Sequence, residues 1–233
     1  MADGLTPQQI LSLSHDIFAG RLAMVSSFGA ESAALLHMVA EIDRDMPVLF
    51  LETGMLFSAT LDYQRDLAAR LGLRDVRMIR PHDASLQAED ARGTLHSTDP
   101  DACCSLRKTR PLHTALSPFS AWITGRKRYQ AASRASLPVF EADEAGRLKV
   151  NPLAGWDAAQ IRSYMQAHDL PLHPLVAENY PSIGCAPCTT RVAPGEDVRA
   201  GRWRGQAKTE CGIHFENGAA VRSGPDRVMA AFP

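Results

Sequence analysis

Short apolar runs alternate with helix-period stretches through the first third of this 233-residue chain, and that alternation restricts the fold more than any other feature. Leu22–Val25 reads as a strand, and the stretch from Glu31 to Ile42 as a helix with Leu35, Leu36, Met38, Val39 and Ile42 on its apolar side. Residues 47–51 form a second strand. The helix that follows, Ser58–Leu71, stops at Gly72, and residues 75–79 give a third strand. Strands separated by helices cannot pair as hairpins. They pair in parallel through right-handed crossovers, so the expectation is an α/β fold with a doubly wound, mostly parallel sheet.

Farther along, residues 95–116 read as helical around Cys103-Cys104, with Asp99 or Asp101 as a cap. Residues 121–124 and 148–150 read as short strands. Asp157 caps a helix running to Ala167. Beyond about Leu170, prolines, glycines, cysteines and arginines replace periodic patterning. The organisation expected is a helical lead-in (1–20), one α/β domain (21–195) and a flexible, mobile C-terminal segment (196–233).

A formal net charge of −1 argues against a general nucleic-acid binder, and no apolar run is long enough to span a bilayer. The first ten residues lack the basic-then-apolar pattern of a secretory signal, so a cytoplasmic location is expected. Basic residues nonetheless gather at 107–110, 126–134 and 199–208. Such clusters on a neutral background suit a small anionic ligand.

The loop Ser26-Ser27-Phe28-Gly29-Ala30-Glu31-Ser32 joins the first strand to the first crossover helix. There backbone N–H groups and the helix dipole can hold a phosphate, and Ser26, Ser27 and Gly29 are small enough to let it approach. An ordinary β–α turn is the alternative. No Gly-Lys-Ser/Thr follows, so it is not a Walker loop.

In a reducing compartment, five cysteines point to metal ligands or catalysts before disulfides. Four of them form two pairs, Cys103-Cys104 and Cys185-Ala186-Pro187-Cys188. Adjacent cysteines are awkward ligands for one tetrahedral ion but can each reach a different iron, and four thiolates complete a [4Fe–4S] cube, one per subunit. A zinc-stabilised binding module remains open at this point. Lys108, four residues after Cys104 on a helix, is placed to meet both a cluster sulfur and an anionic ligand. The fifth, Cys211, lies in a polar, glycine-flanked stretch where Lys208 and His214 favour its thiolate.

Several segments resemble the sulfonucleotide reductases. The loop is similar to a degenerate pyrophosphate loop of the ATP pyrophosphatases, in the form with Phe28-Gly29-Ala30-Glu31. Leu51-Glu52-Thr53-Gly54 resembles that family's Leu-Asp-Thr-Gly. Residues 103–112 resemble its Cys-Cys-x-x-Arg-Lys-x-x-Pro-Leu, and residues 183–189 its Ile-Gly-Cys-x-x-Cys-Thr. Residues 210–214 resemble its Glu-Cys-Gly-Leu/Ile-His, and Thr124–Gln130 its Thr-Gly-x-Arg-Arg-x-Gln, with Lys127 where arginine is usual.

The resemblance implies a PP-loop (adenine nucleotide alpha hydrolase-like) fold. It also implies thioredoxin- or glutaredoxin-dependent reduction of adenosine 5′-phosphosulfate to sulfite and AMP, in assimilatory sulfate reduction toward cysteine. It makes Cys211 the nucleophile and gives Lys108 and His214 catalytic roles. Ser26, Ser27, Gly29, Leu51, Gly125, Arg128, Arg134, Arg199 and Arg202 become substrate contacts. A homodimer or homotetramer is implied as well. Reductases for the 3′-phosphorylated substrate typically lack the four ligand cysteines; that substrate, dual specificity and an ATP pyrophosphatase-type sulfur transferase stay as alternatives.

Overall fold

The computed structural model describes residues 4–206, 208, 210, 215, 216, 219 and 220. The alternation of the first third becomes β1 (Leu22–Ser26), α2 (Ser32–Ile42), β2 (Val48–Leu51), α3 (Ser58–Leu71) and β3 (Val76–Ile79), preceded by α1 (Pro7–Ile17). With β4 (Ala121–Ile123), β5 (Phe140–Ala142) and β6 (Leu148–Val150) they form a six-stranded sheet ordered β3-β2-β1-β4-β6-β5. Neighbouring strands run parallel except β5, which pairs antiparallel with β6 at the edge.

Alternation along the strands shows why helices cover both faces. Leu22, Met24, Val48, Phe50, Ala121 and Ile123 point into one core, against Leu11 of α1, Leu35, Leu36 and Val39 of α2, Leu67 of α3, and Ile161 and Met165 of α8 (Ala158–Ala167). The residues between them, Ala23, Leu49, Leu51 and Trp122, face a second cluster with Leu112, Leu116 and Phe119. A strand buried on both sides needs apolar residues at every position, which β2 carries throughout and β1 carries from Leu22 to Val25. Each fully buried leucine or phenylalanine here stabilises the fold by roughly 1.5–3 kcal/mol.

Local signals act as expected at several ends. Thr6 and Gln9 form a capping box on α1, and Asp157 and Gln160 form another on α8. Gly72 closes α3 in the left-handed region (φ 67°), with Leu73 N–H reaching back to Ala68 O.

The stretch expected as one helix over residues 95–116 is instead divided. Following α4 (Asp83–Asp90), it contains α5 (Leu95–Thr98), α6 (Pro100–Cys104), a π-helical turn (Ser105–Thr109) and α7 (Arg110–Ala115). Asp99 breaks the first junction and caps α6, its carboxylate accepting from the Asp101 and Ala102 N–H groups. Pro111 lacks the N–H that an unbroken α-helix requires, and the π turn takes up the mismatch. The edge strand β5 is only three residues long (Phe140-Glu141-Ala142), too short a stretch for its alternation to stand out in the sequence.

Of the C-terminal segment, the stretch up to Gln206 lies against the second cysteine pair. Thr190 N–H donates to Gly201 O (2.8 Å), Trp203 N–H to Cys188 O (3.0 Å), and Thr189 bridges to Arg202. Phe215–Glu216 (β7) and Ala219–Ala220 (β8) pair antiparallel. The catalytic expectations for Cys211 and His214 lie outside the described residues.

Candidate nucleotide pocket and four-cysteine site

A cavity of about 230 Å³ opens beside the carboxyl ends of β1, β2 and β4. Strand order reverses at β1, with its sequence neighbour β2 on one side and β4 on the other, which is where open α/β sheets bind ligands. Ser26, Ser27 and Gly29 from the first loop line it, with Leu51 from β2 and Gly125 after β4. The loop is shaped by Phe28. Its ring is fully buried, edge-on to Phe50 at 5.2 Å, and its backbone is held at φ 47° while its N–H donates to Ser26 Oγ. A phenylalanine in the left-handed region is strained, and the burial of its ring offsets that strain.

The pocket rim is basic. Lys108, Arg134, Arg199 and Arg202 all line it. Arg134 is buried and donates to Gln130 Oε1 (2.7 Å) and to both carboxylate oxygens of Glu210 (2.9 and 2.6 Å); Arg199 reaches the same carboxylate at 3.4 Å. The Arg202 guanidinium lies 4.4 Å from the Trp203 ring centre and donates to Ile183 O (3.4 Å). A side chain at Gly201 would overlap the Thr190 backbone carbonyl, so that glycine is required by close approach, whereas one at Gly184 would meet only the end of the Arg202 side chain and displace it.

Arg128 has other work. It donates to Leu137 O (2.9 Å) and lies outside the pocket lining, while its neighbours Arg126 and Lys127 are in it. Lys127 pairs with Glu31 (2.7 Å), whose carboxylate also accepts from Tyr129 and Gln130. Burial opposes the charge on Glu31, but Lys127 and these donors hold its carboxyl below the usual range. Glu31, Arg126, Lys127 and Gln130 were not expected as pocket residues. The loop motif containing Lys127 was the available signal.

Next to the pocket is a smaller cavity lined by Cys103, Cys104, Cys185 and Cys188, with Met55, His96 and Trp203. Cys103 and Cys104 come from α6, while Cys185 precedes and Cys188 ends a single 3₁₀ turn (Ala186–Cys188). The turn after β2 docks this second pair: Ala186 N–H donates to Met55 O (2.7 Å) and Thr53 Oγ1 lies 3.3 Å from Cys185 Sγ. Thr53 Oγ1 also accepts from Met55 N–H (3.2 Å). Glu52 does not line the pocket. Its carboxylate accepts from Gly54 N–H (2.7 Å) and fixes this turn, in which Gly54 sits at φ 72°.

Arg107 completes the frame. It donates to Thr53 O (2.9 Å) and pairs with Asp90 at 2.7 Å, both side chains buried. Its partner lies seventeen residues away in sequence, so the basic cluster at 107–110 and the cysteine motif mark Arg107 without revealing this pairing.

Burial pushes the Cys103 thiol up to about 12, and the neighbouring cysteines add to the shift. Cys188 is raised for the same two reasons. Cys185 is lowered: burial opposes its thiolate, but Lys108 beside it prevails. Lys108 lines both cavities. Among the described residues, no group of three or more His, Cys, Asp or Glu is arranged to hold a metal ion. The donor set is nonetheless four thiols around one buried cavity, flanked by Lys108 and Arg107, and that chemistry fits a thiolate-held iron–sulfur cluster whose irons are shared out among separate sulfurs.

A family model for the phosphoadenosine phosphosulfate reductase domain matches residues 21–191. The chain belongs to this sulfonucleotide reductase family. An adenosine 5′-phosphosulfate reductase of Mesorhizobium japonicum is 54% identical over 212 residues, covering 91% of this chain and 83% of the relative. A phosphoadenosine 5′-phosphosulfate reductase of Gloeobacter violaceus is 41% identical, over 91% of this chain and 90% of its own length. In three dimensions the chain is similar to a phosphoadenylyl-sulfate reductase from Candida auris, with a TM-score of 0.69 and 27% identity, over 80% of this chain and 91% of that one. An FMN adenylyltransferase from Candida glabrata shares the fold alone (TM-score 0.57, 14% identity, 78% and 60% covered). The family's doubly wound nucleotide-binding architecture is therefore the one this sequence adopts. Among the described residues no helix is long and apolar enough to cross a membrane.

Proposed function

We infer that this chain reduces adenosine 5′-phosphosulfate to sulfite and AMP, with Cys211 as the nucleophile and a [4Fe–4S] cluster held by Cys103, Cys104, Cys185 and Cys188. The observation that carries the reading is Lys108, which lines both the four-cysteine cavity and the nucleotide pocket. The 54% and 52% identical relatives, both named adenosine 5′-phosphosulfate reductase, favour the substrate without a 3′-phosphate.

Phosphosulfate is a compact anion, and a thiolate cannot approach it until cations offset its charge. Lys108, Arg134, Arg199 and Arg202 supply them, with His214 contributing from the Cys211 segment. The pocket's apolar lining from Leu35, Leu51 and Leu153 receives the adenosine. A bound cluster supplies a fixed electrostatic and structural support beside Lys108.

The Cys211 thiolate attacks the sulfate sulfur. The bond from sulfur to the bridging oxygen breaks, its electron pair stays with AMP, and an S-sulfocysteine remains. A thioredoxin or glutaredoxin thiolate then attacks Cys211 Sγ. Sulfite leaves with the sulfur–sulfur bonding pair, and the reductant's second thiol resolves the mixed disulfide.

Anaerobic purification tests this directly. Iron and sulfide, visible absorption, and sulfite production from adenosine 5′-phosphosulfate with thioredoxin are expected. Zinc without visible absorption would overturn the cluster assignment. Cys211→Ser should keep the colour and nucleotide binding and lose sulfite formation; retained turnover would sink the mechanism. Rates with the 3′-phosphorylated substrate at equal concentration decide the preference.

A further inference from the structure

Thr60, on α3, lines the nucleotide cavity without having been expected there. Its side chain is buried, and Oγ1 lies 3.0 Å from Nε2 of His173, on the chain that follows α8. His173 Nδ1 accepts from the Leu175 N–H (3.2 Å), so that nitrogen carries no proton. Burial lowers the His173 pKa to about 4, which leaves a neutral ring with its one proton on Nε2. Nε2 therefore donates to Thr60 Oγ1, and the hydroxyl proton cannot point back at the imidazole. The ring is also held in place: Tyr63 of the same helix packs against it, centroids 4.8 Å apart, and donates to Pro171 O (2.8 Å).

The Thr60 hydroxyl thus keeps one proton to give, and among the described residues no acceptor takes it. Leu35 of α2, Leu51 of β2 and Leu56 ahead of α3 line the same cavity, while the cations Lys108, Arg134, Arg199 and Arg202 reach it from other segments. A lone donor supplied by the apolar-lined segments suits the nucleoside end of a ligand, because a purine has flat apolar faces and acceptor nitrogens around its edge. A buried hydroxyl proton left unmet costs free energy. A ligand that offers an acceptor is therefore favoured over one of the same shape that does not.

We propose that Thr60 reads the adenine base, donating its hydroxyl proton to one ring nitrogen, and that His173 behind it is a positioning residue that keeps the hydroxyl turned toward the cavity. The proposal rests on the nucleotide reading above and adds to it the group that selects the base.

Calorimetry on the anaerobically purified enzyme, with AMP and its 1-deaza, 3-deaza and 7-deaza analogues as ligands, tests both roles. Each analogue replaces one ring nitrogen by C–H, and at least one should bind about tenfold more weakly than AMP. Thr60→Val, which keeps the shape and loses the hydroxyl, should bind AMP about tenfold more weakly and no longer distinguish it from that analogue. Thr60→Ser should distinguish them again. His173→Leu should blunt the same discrimination, and His173→Gln, whose amide N–H can replace Nε2, should keep it. A wild-type enzyme that binds all three analogues as well as AMP overturns the proposal without any variant having to fold. Thr60→Val that discriminates as the wild type does overturns it too, and full discrimination in His173→Leu removes the positioning role. If the wild type binds neither AMP nor adenosine 5′-phosphosulfate, the nucleotide reading itself falls and the role of Thr60 falls with it.

Discussion

Arg107→Met should cost this protein more stability than any single cysteine-loop contact. The Arg107 and Asp90 side chains are 8% and 2% exposed, at 2.7 Å. Removing the guanidinium strands a carboxylate that burial disfavours and that Arg107 holds below the usual carboxylate range. Loss of one partner of a buried pair typically costs about 3–5 kcal/mol. The bond to Thr53 O, which secures the turn docking Cys185, is lost with it. In a chain of this length each kcal/mol moves the melting temperature by about 2–4 °C, so a fall of roughly 6–20 °C is expected.

The second variant isolates the charge. Asp90→Asn keeps an oxygen for the Leu95 N–H, which donates to Asp90 Oδ1 at 2.9 Å. In Arg107→Met/Asp90→Asn no charge is stranded, and at least about 1.5 kcal/mol should return relative to the sum of the single changes. Urea unfolding of the four proteins, under anaerobic conditions, measures the cycle. A loss below about 1 kcal/mol for Arg107→Met, or strict additivity, would refute the idea that this pair supports the cysteine site.

Three further outcomes are expected. Gly201→Ala places a methyl on the Thr190 carbonyl, which cannot move without opening the bridge between Thr189 and Arg202, so a stability loss of about 2–4 kcal/mol should appear in denaturant unfolding. Gly184→Ala meets only the end of the Arg202 side chain, so the melting temperature should change little while the substrate KM rises about tenfold through displacement of that cation. His173 is neutral and buried, its Nδ1 accepting from Leu175 N–H and its Nε2 facing Thr60 Oγ1, and burial lowers its pKa to about 4. Because the folded value lies below the unfolded one, its contribution is complete above pH ~6.5 and is lost as pH falls toward 4, at up to about 1.4 kcal/mol per pH unit. His173→Gln should flatten that part of the stability–pH curve, and an unchanged slope would refute the assignment.

The period of the apolar residues was enough to specify the parallel sheet, the crossover helices and their Gly72 and Asp157 boundaries, because strand and helix burial repeat at different, readable intervals. Cysteine spacing was enough to group Cys103, Cys104, Cys185 and Cys188. Other features had no local signal. The division of residues 95–116 at Asp99-Pro100 and before Pro111 is written in the sequence, but the π turn that joins the pieces is set only by the packed helix register. Arg128 and Arg126 are indistinguishable as letters, and only the folded loop turns one toward Leu137 O and the other toward Asn151 and Glu141. The pairings of Arg107 with Asp90 and of Arg134 with Glu210 span 17 and 76 residues, and charge patterning along a chain cannot encode partners at such separations. The sequence thus determined which side chains were available for the chemistry. The tertiary structure decided which of them share a cavity, since Coulombic and hydrogen-bond partners are chosen by distance in space and by the loss of water around them.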